Sequence, residues 1–585
     1  MRGVDTGGWE SWWDANGAAL VGRHTVRTRV TADNPLFRVG GGESGNRADT
    51  ERPTEKAIED EILPTLRWVL DPKNGCDDDT VAAAHLAIGK TTRDESDVKR
   101  LLDSCRRRNA STMVHECAAL SLGLLRRTSS ATRFDGRLLD QARSALFATI
   151  DDDTLPQRTR CFAAFAAGLL GDQGSASDAR SHGDSAVVRA LWLRLDEKQV
   201  GEEIPVALLI ALSLQPPAMV PTGVLDGLRG LAVTGFLNGR RYGSLTRGQA
   251  LVALARLSDS TGAGVFLGLL RGRSVEGPVK RAAIVSLGIA AQRLEPMARR
   301  DAALALCETF NRGDDADTLG LMLVSLGRLL AADAKDGCTA LIDSTLADDT
   351  LLHAARLGRA EVRPFGALAL GIAGRGFDSG SATEPAATFR DHAIAALHEG
   401  ASDERTDPSS RGAYCLGLGL IEDESAITLL RSIASRRGAS EDLRGFACLS
   451  IGLVGRPTPE AVQTLRAALR ERSSDELRRQ AAAGLGHLGD VSAVPLLLAD
   501  LQSGGSDHVL AQVVMGLGTI ADVRAVPGLM HIVHNTSVTD LVRAIACAGL
   551  GLLGDLEPSA SLSRLGADSN YLTPTNALYE ALSLL

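Results

Sequence analysis

The stretch Arg478–Leu501, RRQAAAGLGHLGDVSAVPLLLADL, decides the fold of this 585-residue chain. An alanine-rich segment runs into a Gly-Leu-Gly step, turns through Gly489 and Asp490, and continues into a second apolar segment. A Gly-Asp turn between two apolar segments predicts two helices folded into a hairpin. Such a hairpin needs neighbours to bury its apolar face, so the pattern predicts a stack of hairpins.

The same pattern recurs along most of the chain. If Gly486 marks the register, the last five copies lie about 32 to 34 residues apart, and earlier intervals lengthen toward the upper forties, as in two-helix repeats with loop insertions. The predicted fold class is all-α, an α-solenoid (superhelix) of about thirteen helical hairpins. The register positions are Gly89, Gly123, Gly168, Ser213, Ala255, Gly288, Gly327, Gly371, Gly419, Gly452, Gly486, Gly518 and Gly551.

The C-terminal copies carry a family resemblance. AAAGLGHLGDVSAVPLLLADL from Ala481, VVMGLGTIADVRAVPGLM from Val513 and ACAGLGLLGD from Ala546 resemble HEAT repeats of the short bacterial kind, which phycobilisome lyase subunits also contain. The segments GWESWWDANGAAL and NYLTPTNALYEALSLL resemble the ends of large uncharacterised bacterial HEAT-repeat proteins. The resemblance implies HEAT-like hairpins and no particular activity, because one scaffold hosts many functions.

Three regions are expected along the chain. Residues 1–50 hold a Trp-containing N-terminal segment (Trp9, Trp12 and Trp13), expected to dock on the first hairpin, and then a Gly-rich polar run that reads as a flexible linker. Residues 51–565 form the HEAT-repeat solenoid, and residues 566–585 form a C-terminal capping helix segment. Covers of this kind are expected because an end hairpin otherwise exposes its apolar face.

The composition excludes several classes of protein. A net charge of −9 argues against a chain that coats nucleic acid. The nine cysteines are dispersed and never in CxxC spacing, which predicts small buried side chains rather than disulfides or a zinc cluster. No apolar run reaches the length of a membrane span, and the start lacks a signal-peptide core. The expected location is cytoplasmic for the sequence as written, or exported if the true N-terminus lies upstream.

Two positions recur within the repeat. Four residues after the register, an aspartate can accept the first amide hydrogens of the next helix, so we expect a helix cap, with ligand contact as the alternative. The aspartates are Asp172, Asp259, Asp423, Asp490, Asp522 and Asp555. Eight residues before the register, a basic residue recurs, which we call the basic slot. Its members are Arg160, Arg247, Lys280, Arg363, Arg411, Arg444, Arg478 and Arg543, with His115 in the equivalent place.

The basic slot has two interpretations. It lies near the start of the second helix, where the helix dipole mildly disfavours a cation, so acidic neighbours in an inter-repeat ladder are one explanation. Alternatively, second helices line the concave face, and one cation per repeat draws a stripe that grips an acidic or extended protein partner. The candidate partner-binding residues are Arg363, Arg411, Arg444, Arg478, Arg543 and the nearby aromatics Phe365, Tyr414 and Phe446. Core packing is the alternative for the three rings.

Signals for catalysis are weak. The HEAT-type hydroxylase of deoxyhypusine, to which the repeats can be compared, uses His-Glu pairs in several repeats, whereas this chain offers His115-Glu116 alone at the matching place. A di-iron centre needs several inward ligands, so we predict no catalytic residue, no metal and no cofactor. The predicted function is a non-catalytic protein–protein interaction scaffold or assembly factor. The alternative is a lyase-like or chromophore-handling HEAT protein.

Overall fold

The decisive stretch spans the link between two hairpins of the computed structural model. The helix Asp475–Leu488 packs as the partner of Pro459–Leu469, which precedes it, and Val494–Gln502 packs with Asp507–Ile520. The quoted sequence therefore joins the second helix of one hairpin to the first helix of the next. Every register position of the sequence falls in a second helix.

Thirteen hairpins follow one another in the part of the chain that the structure describes. That part comprises residues 8–21, 52–107, 111–125, 134, 136–171, 185–196, 201–257, 261–272, 274–336, 341, 346–377, 384–503, 505–556, 564–572 and 575–584. The linker predicted between the tryptophans and the first hairpin lies outside it, as do Asp172 and Asp259.

The first hairpin begins with α2 (Glu55–Ala57), a π-helical turn (Ile58–Ile62) and α3 (Leu63–Leu70), and ends with α4 (Asp78–Thr91). The other first helices are α5 (Glu95–Arg106), α7 (Gly136–Asp151), α9 (Ala186–Asp196), α11 (Thr222–Thr234), α13 (Gly262–Arg271), α15 (Pro296–Arg312), α17 (Leu346–Leu357), α19 (Glu384–Ser402), α21 (Ile427–Ala434), α23 (Pro459–Leu469), α25 (Val494–Gln502) and α27 (Ala525–His534).

The second helices form a layer of their own, in which most pack on the next one along the chain. They are α6 (Thr112–Leu124), α8 (Gln157–Leu170), α10 (Glu203–Ser213), α12 (Ser244–Leu257), α14 (Gly277–Ala290), α16 (Ala316–Lys335), α18 (Arg363–Gly374), α20 (Pro408–Leu420), α22 (Glu441–Val454), α24 (Asp475–Leu488), α26 (Asp507–Ile520) and α28 (Asp540–Gly554). Outside the repeats lie α1 (Gly8–Val21), α29 (Ser569–Leu572) and α30 (Asn576–Leu584).

Short elements complete the chain. A two-stranded antiparallel ribbon, β1 (Phe236–Leu237) and β2 (Arg240–Arg241), joins α11 to α12 through Asn238 and Gly239, which both have positive φ. An Asn-Gly pair suits such a tight hairpin turn. Single 3-10 turns lie at Pro72–Asn74, Pro217–Met219, Ala291–Arg293, Glu424–Ala426 and Val491–Ala493.

The register glycines let neighbouring second helices approach closely. A Cβ atom built on Gly452 would lie 2.5 Å from the Cα of Gly484 on the next second helix, which is closer than real side chains come. Backbones in this contact meet without intervening side chains. The Gly-Leu-Gly step is therefore a packing requirement of the stack as well as a helix-end signal.

The predicted aspartate caps are confirmed at Asp423 and Asp490, each of which caps a 3-10 turn, whereas Arg524 and not Asp522 is the N-cap of α27. The Asp423 carboxylate accepts a hydrogen bond from the backbone N–H of Ser425 at 3.1 Å, and Asp490 accepts one from Ser492 at 3.2 Å. Asp522 accepts one from the backbone N–H two residues on, at 2.9 Å. Asp423 and Asp490 each satisfy an amide hydrogen of the turn that opens the next helix, where no carbonyl of the turn can accept it.

The chain falls into two compact units. Unit 1 comprises Met1–Leu20, Ile88–Ile421 and Glu557–Leu585, and unit 2 comprises Val21–Ala87 and Glu422–Leu556. Within unit 2 the first hairpin packs against the last one. The Thr80 hydroxyl donates to the backbone carbonyl of Asp540 at 3.3 Å, and the Trp68 ring meets His534 edge-on at a centroid distance of 4.5 Å. No described helix is long and apolar enough to cross a membrane.

Candidate protein-binding surface

The basic slot makes a recurring contact with the first helix of its own hairpin. The Nε–H of Arg444 donates to the backbone carbonyl of Ala434 at 2.9 Å, and that of Arg411 donates to Ala401 at 3.0 Å. The carbonyls at a helix C-terminus lack partners inside the helix, and a cation is favoured there by the dipole. This contact compensates for the position of these arginines near the start of the second helix. Arg160 and Arg543 make the same bond to Ile150 and Val533.

Further contacts of the slot link one hairpin to the next. Arg444 holds Glu471 with two charge-assisted hydrogen bonds of 2.9 and 2.7 Å, and the bonding of Arg444 lowers the pKa of the Glu471 carboxyl. Arg478 contacts both oxygens of Asp500, at 2.9 and 2.8 Å, and both side chains are buried. These pairs favour the inter-repeat ladder as the explanation of the slot.

The other candidate residues lie inside or beside this ladder. Phe365, Tyr414 and Phe446 are all buried, so core packing accounts for the three rings. The Tyr414 hydroxyl donates to a backbone carbonyl, and burial raises its pKa to about 12. Arg543 is buried, with a guanidinium nitrogen 3.2 Å from Asp540. Arg363 and Arg411 are partly exposed. A role for these residues in partner binding stays a prediction.

The two side chains of the His115-Glu116 pair have different surroundings. Glu116 accepts hydrogen bonds from Arg158 at 3.0 and 2.8 Å and from the Thr159 hydroxyl at 3.0 Å. Burial lowers the pKa of His115. Glu116 thus has a structural partner in the next hairpin. Within the described ranges, no group of three or more His, Cys, Asp or Glu side chains is placed to hold a metal ion.

The N-terminal segment docks far along the stack rather than on the first hairpin, where the sequence predicts it. Trp9, Trp12 and Trp13 are buried, with Trp12 only 1% exposed. The Trp9 Nε1–H donates to the hydroxyl of Ser409 on α20 at 2.9 Å, and the Trp12 ring meets Phe365 of α18 at a centroid distance of 6.4 Å. Helix α1 therefore lies across second helices of unit 1.

The C-terminal segment reaches the same layer of helices. Helix α30 packs on α8, and α29 packs on α12 and α14. The backbone N–H of Asp568 donates to Asn16 Oδ1 on α1 at 2.7 Å, so the two ends of the chain touch each other. Sequence reasoning missed this meeting point because neither segment belongs to the repeat.

Two arginines of the repeats contact the C-terminal segment, and a third, Arg293, lies near them. Arg328 Nη1 lies 3.0 Å from both carboxylate oxygens of Asp568. Arg256 donates to the backbone carbonyl of Ala567 at 2.6 Å, and Arg293 donates to the carbonyl of Ala255 at 3.2 Å. Burial lowers the pKa of Arg256 to about 10, with Asp568 opposing the shift and Arg328, Arg293 and Arg564 adding to it. We call Arg256, Arg293 and Arg328 the arginine cluster.

One repeat position differs between most hairpins of the two units. We define the second-helix face by the residue three places before each register position. In unit 1 this residue is large and buried at Leu120, Phe165, Ile210, Val252, Val285, Val324, Leu368 and Leu416. In unit 2 the position is still buried at Leu86 and Leu449, but it holds Met515, which is 42% exposed, and the partly exposed Ala483 and Ala548. The two end segments lie on the second helices of unit 1, where this position is buried.

Comparisons with known proteins agree with the repeat assignment. The family described as HEAT repeats matches residues 434–507, and no curated protein matches the chain. The fold class predicted from the sequence is confirmed: the described chain is an all-α solenoid of HEAT-like helical hairpins.

Several solved structures resemble the chain distantly. Importin β in a polyethylene glycol condition has a TM-score of 0.41 and 10% identity, over 79% of this chain and 69% of its own. Importin β in an ammonium sulfate condition has a TM-score of 0.39 and 12% identity, over 83% and 66%. Kap121p has a TM-score of 0.38 and 11% identity, over 84% and 54%. The chain thus spans about two thirds of the importin β chain and about half of Kap121p. At these values the likenesses transfer no function.

Proposed function

We propose that this protein is a non-catalytic scaffold or assembly factor that binds a segment of a partner protein on its second-helix face. The observation that supports the proposal best is that unit 1 already holds two segments there. Neither α1 nor the helices α29 and α30 belong to the repeat, yet all three lie across second helices. A layer that takes helices from its own chain has the shape and chemistry to take one from a partner.

The contacts of the two end segments are those typical of protein interfaces. Three buried tryptophans anchor α1, and arginines of the stack hold carboxylates of the C-terminal segment. Trp and Arg dominate the binding energy of protein interfaces when they lie in desolvated pockets. The second-helix face therefore recognises helical segments through apolar anchors and charge-assisted bonds.

In unit 2 part of this face is accessible. Ala511 and Met515 are exposed one turn apart on α26, and Thr519 continues the row with partial exposure. Methionine is common at adaptable binding surfaces because its side chain is flexible and polarizable. We assign this row as a contact for an external partner. The expected partner is acidic or extended, and the partly exposed Arg363 and Arg411 of the basic slot belong to the same proposal.

Site-specific crosslinking tests the proposal. A photo-crosslinking residue, p-benzoylphenylalanine, replaces Met515 on a second helix or, as matched controls, Leu357 and Met297 on first helices, which are 70% and 69% exposed. We expect discrete crosslinked partners in native lysate from the Met515 variant and none shared with the controls. Crosslinks at Leu357 or Met297 without any at Met515 would place partner binding elsewhere and contradict the proposal.

A further inference from the structure

We infer that the arginine cluster is a carboxylate-binding site for an acidic peptide segment of a partner, and that Asp568 occupies it in cis. The inference rests on the proposed function and names the partner chemistry for unit 1. It commits the cluster to a protein carboxylate, which Arg328 holds directly while Arg256 bonds the carbonyl of the preceding residue, Ala567.

The arginine cluster belongs to the repeats, whereas Asp568, which binds to it, does not. Arg256 and Arg328 each follow a register position directly, at the same place in their second helices. Arg256 is anchored by a 3.0 Å bond to the hydroxyl of Ser213 on the preceding second helix. The arginines are therefore positioned by the stack itself. The carboxylate comes from a segment outside the repeats.

The positive charges of the arginine cluster favour the binding of an anion. Arg256 is 7% exposed, and its guanidinium remains a cation at neutral pH. Buried cations are costly unless a carboxylate compensates them. Two arginines of the repeats contact the segment that carries Asp568 and a third lies near them, and the segment brings a further cation, Arg564, to the same place. The described surroundings are thus richer in positive than in negative charge, which suits a more acidic ligand than the present one.

The backbone of the occupant suits an aspartate. Asp568 has φ of +61°, in the left-handed region, which aspartate adopts more readily than most residues with a side chain. Glycine would also fit this conformation, but it has no carboxylate to offer Arg328. A second carboxylate of the segment, Glu580, lies 3.0 Å from Arg158 and is partly exposed. The segment thus presents two carboxylates to two arginines, as a bound acidic peptide would.

The occupant has an advantage that a free ligand lacks. A segment of the same chain can act at an effective concentration in the millimolar range, so a peptide in trans competes poorly with it. Removing the carboxylate of Asp568 should leave the cluster ready for a peptide from outside. The full-length Asp568→Asn variant keeps the size of the side chain and removes its charge.

The test uses a fluorescein-labelled peptide of residues 564–584 and measures its binding by fluorescence anisotropy. We expect the full-length Asp568→Asn protein to bind this peptide at least tenfold more tightly than wild type does, with an affinity that falls as salt is added. A matched peptide carrying Asn in place of Asp568 should bind at least tenfold more weakly. Adding Arg328→Gln to the Asp568→Asn protein should abolish the gain.

A second variant covers the case in which Asp568→Asn does not fold. A protease site inserted between residues 557 and 563 of the wild-type sequence allows the segment to be cut after folding. Gel filtration should then remove the cut segment, and the labelled peptide should replace it. A folded Asp568→Asn protein or a cut protein that takes up both peptides equally, or neither of them, would overturn the inference.

The two proposals fail separately. If partners crosslink at Met515 while the labelled peptide does not bind, the scaffold proposal stands and the arginine cluster is an internal clasp. If the peptide exchanges as expected while Met515 yields no partner, the carboxylate site stands and the accessible face of unit 2 loses its assignment.

Discussion

Several arginines of the basic slot bond backbone carbonyls at the end of the first helix of their hairpin. Arg411, Arg444 and Arg543 lie near the start of a second helix, where the dipole disfavours a cation, yet the Nε–H of each reaches a carbonyl near the end of the preceding first helix. The sequence predicts the slot by its recurrence. It cannot predict this bond, because the acceptor is a backbone atom that leaves no trace in residue identity. The sequence also does not decide between an inter-repeat ladder and a partner-binding stripe as the role of the slot.

Removing an arginine from a buried pair should destabilise the stack. Arg478 is 3% exposed and Asp500 is 7% exposed, so Arg478→Ala leaves a buried carboxylate without its cation. We expect the free energy of unfolding to fall by about 3 kcal/mol, measured by urea denaturation. The joint change Arg478→Met and Asp500→Leu should recover most of the loss. Arg312→Ala, at a 68% exposed position, is the control that should leave the midpoint unchanged.

The buried cysteines should resist thiol reagents in the native protein. Burial raises the pKa of Cys105 to about 11 and those of Cys415 and Cys448 to about 12, so these thiols stay protonated at neutral pH. Among the cysteines that the structure describes, treatment with N-ethylmaleimide followed by peptide mass spectrometry should label the partly exposed Cys76 first. Labelling of Cys415 or Cys448 at the rate seen in urea would show that the second helices open readily.

At the scale of the element, close contact between second helices explains the Gly-Leu-Gly step. The sequence marks the glycines by their period, and a glycine inside a helix already signals a packing reason because it costs helical stability. What the period cannot supply is the identity of the neighbouring atom. In the structure that neighbour is the backbone of another glycine, Gly484 beside Gly452.

Alanine substitutions at two glycines distinguish the effect of close helix packing from the effect of helix propensity. Alanine at either site gains up to about 1 kcal/mol of helix propensity. At Gly452 the new methyl meets the Gly484 backbone at 2.5 Å, so we expect a net loss of about 1–3 kcal/mol in the free energy of unfolding. At Gly268, in α13, nothing lies within 4 Å of the new Cβ, and the variant should be as stable as wild type or more so. Equal effects at both sites would contradict the close-contact explanation.

At the scale of the whole molecule, the repeat could be predicted from the sequence, but the places where the two end segments dock could not. Periodicity fixes which hairpins are neighbours along the chain, because each copy packs on the next. It says nothing of where a segment outside the period docks. One signal was present: α10 is apolar on all sides (EIPVALLIALS), which indicates cover on every face, whereas α26 carries Gln512 and Thr519.

The docking of α1 depends on its tryptophan anchors. An isolated helix of 14 residues is marginal in water, so α1 owes its structure to its contacts. Trp12→Ala removes a side chain that is 1% exposed, and such a truncation costs about 3–5 kcal/mol. We expect hydrogen exchange of residues 8–21 to approach the rate of an unfolded peptide, with added exchange in α18 and α20. Helix α24 of unit 2 should exchange as in wild type.

Leu357→Ala is the control for that experiment, because it removes an apolar side chain that is 70% exposed on a first helix. Its exchange pattern should match wild type throughout. Protection of residues 8–21 that survives Trp12→Ala would mean that Trp9 and Trp13 suffice to hold the segment. Faster exchange in α18 and α20 would mean that α1 shields the helices on which a partner is proposed to bind. Release of α1 would then uncover that part of the second-helix face, and the Trp12→Ala protein should capture partners that wild type does not.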